Sequence, residues 1–67
     1  MGKYRYEPML KLKFKRIQAG YTVVALARKV GIHYNTLCDY ESGKHRPSVE
    51  NLKLLAEALK CDISDIA

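Results

Sequence analysis

Apolar positions recur along the chain at helical spacing, and glycine or proline interrupts the pattern every ten or so residues. The first segment runs from about Pro8 to Ala19, with Pro8 suited to a first helical turn and Gly20 to the stop. The second opens at Thr22, a good N-cap, and runs through Val30 to Gly31, with Val23, Leu26, Ala27 and Val30 on one arc. The third covers about His33 to Ser42 and stops at Gly43, with Leu37 and Tyr40 marking its buried side. The fourth opens at Ser48 after Pro47 and carries Val49, Leu52, Leu55, Ala56 and Leu59 at helical spacing. A last turn begins at Asp62 as a cap and folds Ile63 or Ile66 back on the core. Ahead of these, Tyr4 and Tyr6 alternate with Lys3, Arg5 and Glu7, a period of two that predicts an extended arm over residues 1–7.

Four to five short helices with almost no linker predict an all-α fold, a compact bundle over residues 8–67. Only Gly31, Ile32 and His33 separate the second helix from the third. A short turn containing glycine joins two helices at a steep angle, which is the helix-turn-helix arrangement. Gly31 takes a positive φ without penalty, and Ala27, one turn earlier, is small enough to let the third helix approach closely. Leu26, Ile32, Leu37 and Tyr40 form the expected wedge between the pair.

Composition narrows the classes further. A chain of 67 residues is one domain at most, and its 48% apolar content excludes a disordered tail. The net charge of +5 is unevenly spread. Ten basic and three acidic side chains lie in residues 1–46, against two basic and four acidic in 47–67. The positive field therefore sits on the first two-thirds, where a polyanion would meet it. Two cysteines, Cys38 and Cys61, are too few for a disulfide framework. No signal-peptide pattern and no apolar run long enough to span a bilayer is present, so the expectation is a reduced, cytoplasmic protein without a membrane partner.

The strings Leu26-Ala27-Arg28-Lys29-Val30-Gly31-Ile32, Thr36-Leu37, Tyr40-Glu41-Ser42-Gly43-Lys44 and Pro47-Ser48 resemble the Cro/CI-type helix-turn-helix family. Arg16, four residues before Gly20, also fits, and the match covers about residues 8–66. The resemblance implies a lambda-repressor-like bundle, encoded by a prokaryote or a phage. It further implies binding to double-stranded DNA operators, mostly as a transcription repressor and usually as a dimer. One departure is Val23, where many members carry a glutamine that touches a phosphate; valine cannot make that contact.

In such a domain the N-terminal half of the third helix enters the major groove. With Leu37 inward, a helical wheel turns Asn35, Cys38, Asp39 and Ser42 outward and sets Tyr34 and Thr36 on the flanks. Tyr34, Asn35, Thr36 and Asp39 are the candidate base readers. Asn35 can bind adenine through N6 and N7, and Asp39 can accept from a cytosine amino group. Thr36 can reach a base or a phosphate, and Tyr34 a thymine methyl or a phosphate. The same side chains would also serve as a plain solvated face. Lys44, His45 and Arg46 follow the third helix directly, where family members grip the DNA backbone. Glu41 lies near the inner arc beside Leu37, and a lone carboxylate there is costly unless paired. The family places its partner on the first helix, which is Arg16 here, as a structural ion pair.

No paired-carboxylate constellation and no glycine-rich phosphate loop points to an enzyme, so no catalytic residue and no cofactor is expected. His33, Cys38, His45 and Cys61 match no zinc spacing, so no metal ligand set is expected either. Oxidation of Cys38 on the reading face would block binding, which makes a redox sensor a further, weaker reading.

Two apolar groups lie off the core arcs: Leu10, Phe14 and Ile17 on the first helix, and Leu54, Ala58 and Cys61 on the fourth. A domain this small cannot bury both. The expected arrangement is a homodimer closed through Leu54 and Ala58, with Tyr4 and Tyr6 of the arm covering the first-helix group. The alternative function is a protein-interaction module on the same fold, an antitoxin or antirepressor that binds a partner through the spare stripe; a DNA-binding regulator of this size would be controlled by its own concentration, by proteolysis or by a partner protein.

Overall fold

The computed structural model describes residues 4–67. Four helices, α1 (Leu10–Gln18), α2 (Val23–Val30), α3 (Tyr34–Ser42) and α4 (Val49–Ala58), are followed by a 3₁₀ turn, Ile63–Asp65. Among the described residues there is no strand. No helix there is long and apolar enough to cross a membrane. α2 packs on both α3 and α4, and the terminal turn closes against α1 and α4.

The helix ends follow their local chemistry. Thr22 Oγ1 accepts from the Ala25 N–H at 3.0 Å, and Ser48 Oγ accepts from the Asn51 N–H at 3.1 Å. Each satisfies one of the donors that a helix start leaves free. α2 stops at Gly31 in the left-handed region (φ 79°), where the Gly31 and Ile32 N–H groups both reach back to the Ala27 carbonyl. α4 ends differently. Lys60, not a glycine, takes the left-handed conformation (φ 55°), which lets the Cys61 N–H close on the Ala56 carbonyl. α1 begins at Leu10, two residues later than the proline-based expectation, because the Pro8 carbonyl is spent on the Leu10 N–H and Met9 is buried.

The core draws one completely buried side chain from each helix and from the terminal turn: Leu12, Leu26, Leu37, Leu55 and Ile66. Met9, Ala27, Tyr40, Ala56 and Leu59 complete it, and Ile32, Leu52 and Val23 pack on its edge. Ile66, and not the half-buried Ile63, is the residue that anchors the end of the chain. The carboxylate of Asp65 accepts from the Asp62 N–H at 3.0 Å and holds that last turn shut.

The N-terminal expectation needs correction. Residues 1–3 of the arm lie outside the described residues. Tyr4–Tyr6 bend instead of running extended, and they do not cover the first-helix stripe: Phe14 is 62% exposed, with Leu10 and Ile17 similarly open. The segment lies instead on the turn between α3 and α4, where the Tyr6 N–H donates to the Gly43 carbonyl at 2.9 Å. A main-chain hydrogen bond to the buried Gly43 holds the segment there, and the apolar stripe stays open.

Candidate nucleic-acid interface

The α2–α3 junction is built by small residues and one capping histidine. Ala27 and Leu26 are buried against Leu37 and Tyr40, so α3 sits close across α2. His33 lies just before α3, and its Nδ1 accepts from the Asn35 N–H at 3.1 Å. A neutral imidazole accepting at Nδ1 carries its proton on Nε2. His33 thus caps the helix at the residue that begins the exposed face, a role the sequence pattern did not reveal.

α3 is also clamped from behind. The Tyr40 hydroxyl accepts from Asn51 Nδ2 at 2.9 Å, tying α3 to α4. Arg16 on α1 meets Glu41 on α3 in a two-point pair, Nε to Oε2 at 2.7 Å and Nη2 to Oε1 at 3.1 Å. Its remaining Nη1 donates to the Tyr21 carbonyl at 2.8 Å. Both side chains of the pair are only about a tenth exposed (10% and 9%). The hydrogen bond to Glu41 pushes the Arg16 guanidinium further above its already high range, against the opposing pull of burial. Motif matching located the pair, but the Tyr21 carbonyl and Asn51 carry no sequence signal; only the folded chain brings them into reach.

With its inner side fixed, α3 presents Tyr34, 47% exposed, and Asn35, also exposed, from its first turn. Thr36, Cys38, Asp39 and Ser42 are half-buried, so the outward arc is narrower than the wheel suggests. Ser42 turns its hydroxyl back to the Asp39 carbonyl at 3.3 Å. The same carbonyl accepts the N–H groups of Gly43, Lys44 and His45 at 3.0, 2.9 and 3.3 Å. That one acceptor sets the path of the turn that carries Lys44, His45 and Arg46, all three exposed. The Asp39 carboxylate lies 3.9 Å from His45 Nε2, at the edge of ion-pair range. The four candidate readers and the three candidate backbone contacts therefore lie on one helix and the turn that ends it.

Val23, where a phosphate-binding glutamine is common, is half-buried and packs on the core. Cys61 lies at the far end, where burial first, and then the nearby Asp65, push its thiol pKa up. Among the described residues no group of three His, Cys, Asp or Glu side chains stands close enough to hold a metal ion.

A family model described as helix-turn-helix matches residues 12–66. Among solved structures the chain is similar to the restriction-modification controller protein C.AhdI from Aeromonas hydrophila. The two share 24% identity, with 85% of this chain and 86% of that chain covered and a TM-score of 0.80. At that identity the likeness establishes the fold. No curated protein matches the chain. The family match takes in α2, the glycine turn, α3 and the Pro47-Ser48 start of α4, the same parts that build the exposed face. The chain therefore belongs to the helix-turn-helix family, of the Cro/CI type, whose members are DNA-binding transcription regulators.

Proposed function

We propose that the chain is a sequence-specific repressor that inserts α3 into the major groove of an operator, in the cytoplasm of a prokaryote or a phage host. The observation that carries this reading is the exposed first turn of α3, with Tyr34 and Asn35 outward, running into the exposed cationic turn Lys44–Arg46. An asparagine there offers a donor and an acceptor side by side, the pattern that adenine presents in the major groove. The three residues of the turn give charge and donors for phosphates, which set register without reading sequence. Thr36 and Asp39, being half-buried, serve as supporting readers reached by bases that come close to the helix.

The working unit is a homodimer on a pseudo-palindromic site. One such helix reads only a handful of base pairs, and a two-fold axis doubles the readout with reading helices about 34 Å apart. The exposed Leu54 on α4, beside a shallow hollow lined by Val30, Ala58, Lys29 and Glu57, supplies the interface. Charges of both signs surround it, so two copies can meet without repulsion. The α1 stripe is a poorer self-partner, because Lys11, Lys13 and Lys15 lie on the same helix with no acidic residue among them. Two copies joined there would set like charges together.

The open stripe of Leu10, Phe14 and Ile17 favours a second reading, in which a partner protein docks on α1 and controls the regulator or is itself the target. Selection of bound duplexes from a random pool tests the first reading. A recovered two-fold symmetric site supports it. Failure to enrich any sequence, with no salt-dependent DNA binding, would replace it by the second, since counterion release makes DNA binding fall steeply with salt.

A further inference from the structure

The N-terminal segment is seated against the end of the reading helix. Its Tyr6 N–H bonds the Gly43 carbonyl at 2.9 Å, and Gly43 itself is buried with φ +93°. A side chain at position 43 would run into the backbone of Tyr6, Glu7 and Pro8, so the glycine makes room for the segment as well as for the turn. In this seat the Tyr6 ring faces Arg46, whose guanidinium carbon lies 5.8 Å from the ring centroid. That is cation–π range.

Arg46 precedes Pro47 on an exposed turn, and its long side chain has many rotamers to lose on binding. An aromatic face restrains a guanidinium without using its N–H donors, whereas a carboxylate would occupy them and cancel the charge. A ring is thus the kind of partner that leaves an arginine ready for a phosphate.

We propose that Tyr6 is a positioning residue of the DNA interface: clasped over Gly43, the N-terminal segment holds Arg46 in place for the phosphate backbone. The inference rests on the reading of Arg46 as a phosphate contact. It gives the segment a role in affinity that the helix-turn-helix alone does not require, and it makes that role independent of DNA sequence.

Binding of a short labelled duplex of mixed sequence, titrated with salt, tests both layers. The proteins are the unmodified chain, Tyr6→Phe, Tyr6→Leu, Arg46→Ala and the Tyr6→Leu/Arg46→Ala pair, with thermal melts as a check on folding. Tyr6→Leu should weaken binding about two- to fivefold, the range of an exposed cation–π contact, while Tyr6→Phe keeps the ring and the affinity. Arg46→Ala should weaken binding further and lower the salt slope by about one. Adding Tyr6→Leu to Arg46→Ala should then cost nothing. An equal loss from Tyr6→Leu with or without Arg46, or a loss in Tyr6→Phe as large as in Tyr6→Leu, overturns the positioning role while leaving the phosphate contact intact. No change of affinity or slope in Arg46→Ala removes the phosphate contact itself, and the positioning role with it.

Discussion

Replacing Arg16 by methionine would remove three hydrogen bonds at once: two to the Glu41 carboxylate, at 2.7 and 3.1 Å, and one to the Tyr21 carbonyl, at 2.8 Å. What remains is a carboxylate nine-tenths buried and a backbone acceptor without its donor. Breaking a buried pair by removing one member costs about 3–5 kcal/mol, mostly the penalty of the stranded charge. A domain of 67 residues has about 3–10 kcal/mol in total at 0.05–0.15 kcal/mol per residue, so the single change consumes much of its stability. Glu41→Leu strands a guanidinium that still reaches the Tyr21 carbonyl, and its cost falls at the low end of the same range. The double replacement leaves no charge behind. Its main debt is the freed carbonyl of the half-buried Tyr21, about 1–3 kcal/mol and less where water reaches it. The double variant should therefore be more stable than Arg16→Met and no less stable than Glu41→Leu. Urea unfolding followed by far-ultraviolet circular dichroism gives all four free energies, all at one protein concentration, since the proposed dimer would link stability to concentration. The pH must not matter through Arg16. Its pKa is raised on folding, so its contribution is full below the ordinary arginine range and is lost only above it. Losses that add within about 0.5 kcal/mol would refute the coupling.

The other expectations concern the reading face, the interface and one helix end. Asn35→Ala should cost about 1–3 kcal/mol on the selected site and relax the choice at one base pair; an unchanged base preference at fixed salt would take Asn35 out of the reading set. Leu54→Glu should turn a sedimenting dimer into a monomer while Phe14→Glu does not, and the reverse result would move the interface to α1. Lys60→Gly should raise stability by up to about 1 kcal/mol, because the left-handed backbone at position 60 (φ 55°) strains any side chain. A loss of stability on urea unfolding would mean that the lysine makes a compensating contact.

The order of the helices and most of their ends were legible in the chain, because those are decided locally. Thr22 and Ser48 cap through their own hydroxyls, Gly31 and Gly43 accept a positive φ, and within each segment the apolar positions recur at helical spacing, as Leu26, Ala27 and Val30 do in α2 and Leu52, Leu55, Ala56 and Leu59 along α4 to its C-cap. The Arg16–Glu41 pair was legible only through the resemblance, since nothing local joins residues 25 positions apart. Other features escaped the sequence altogether. Lys60 adopts a conformation that its type disfavours, because packing of Leu59 and the terminal turn overrides local preference. Asn51 finds the Tyr40 hydroxyl only because α4 crosses behind α3. The N-terminal segment reads as an apolar-polar alternation that fits an open stripe on α1, yet it lies on the buried Gly43. Its path is decided by a main-chain hydrogen bond and a glycine-sized gap, and neither leaves a mark in the pattern of side chains.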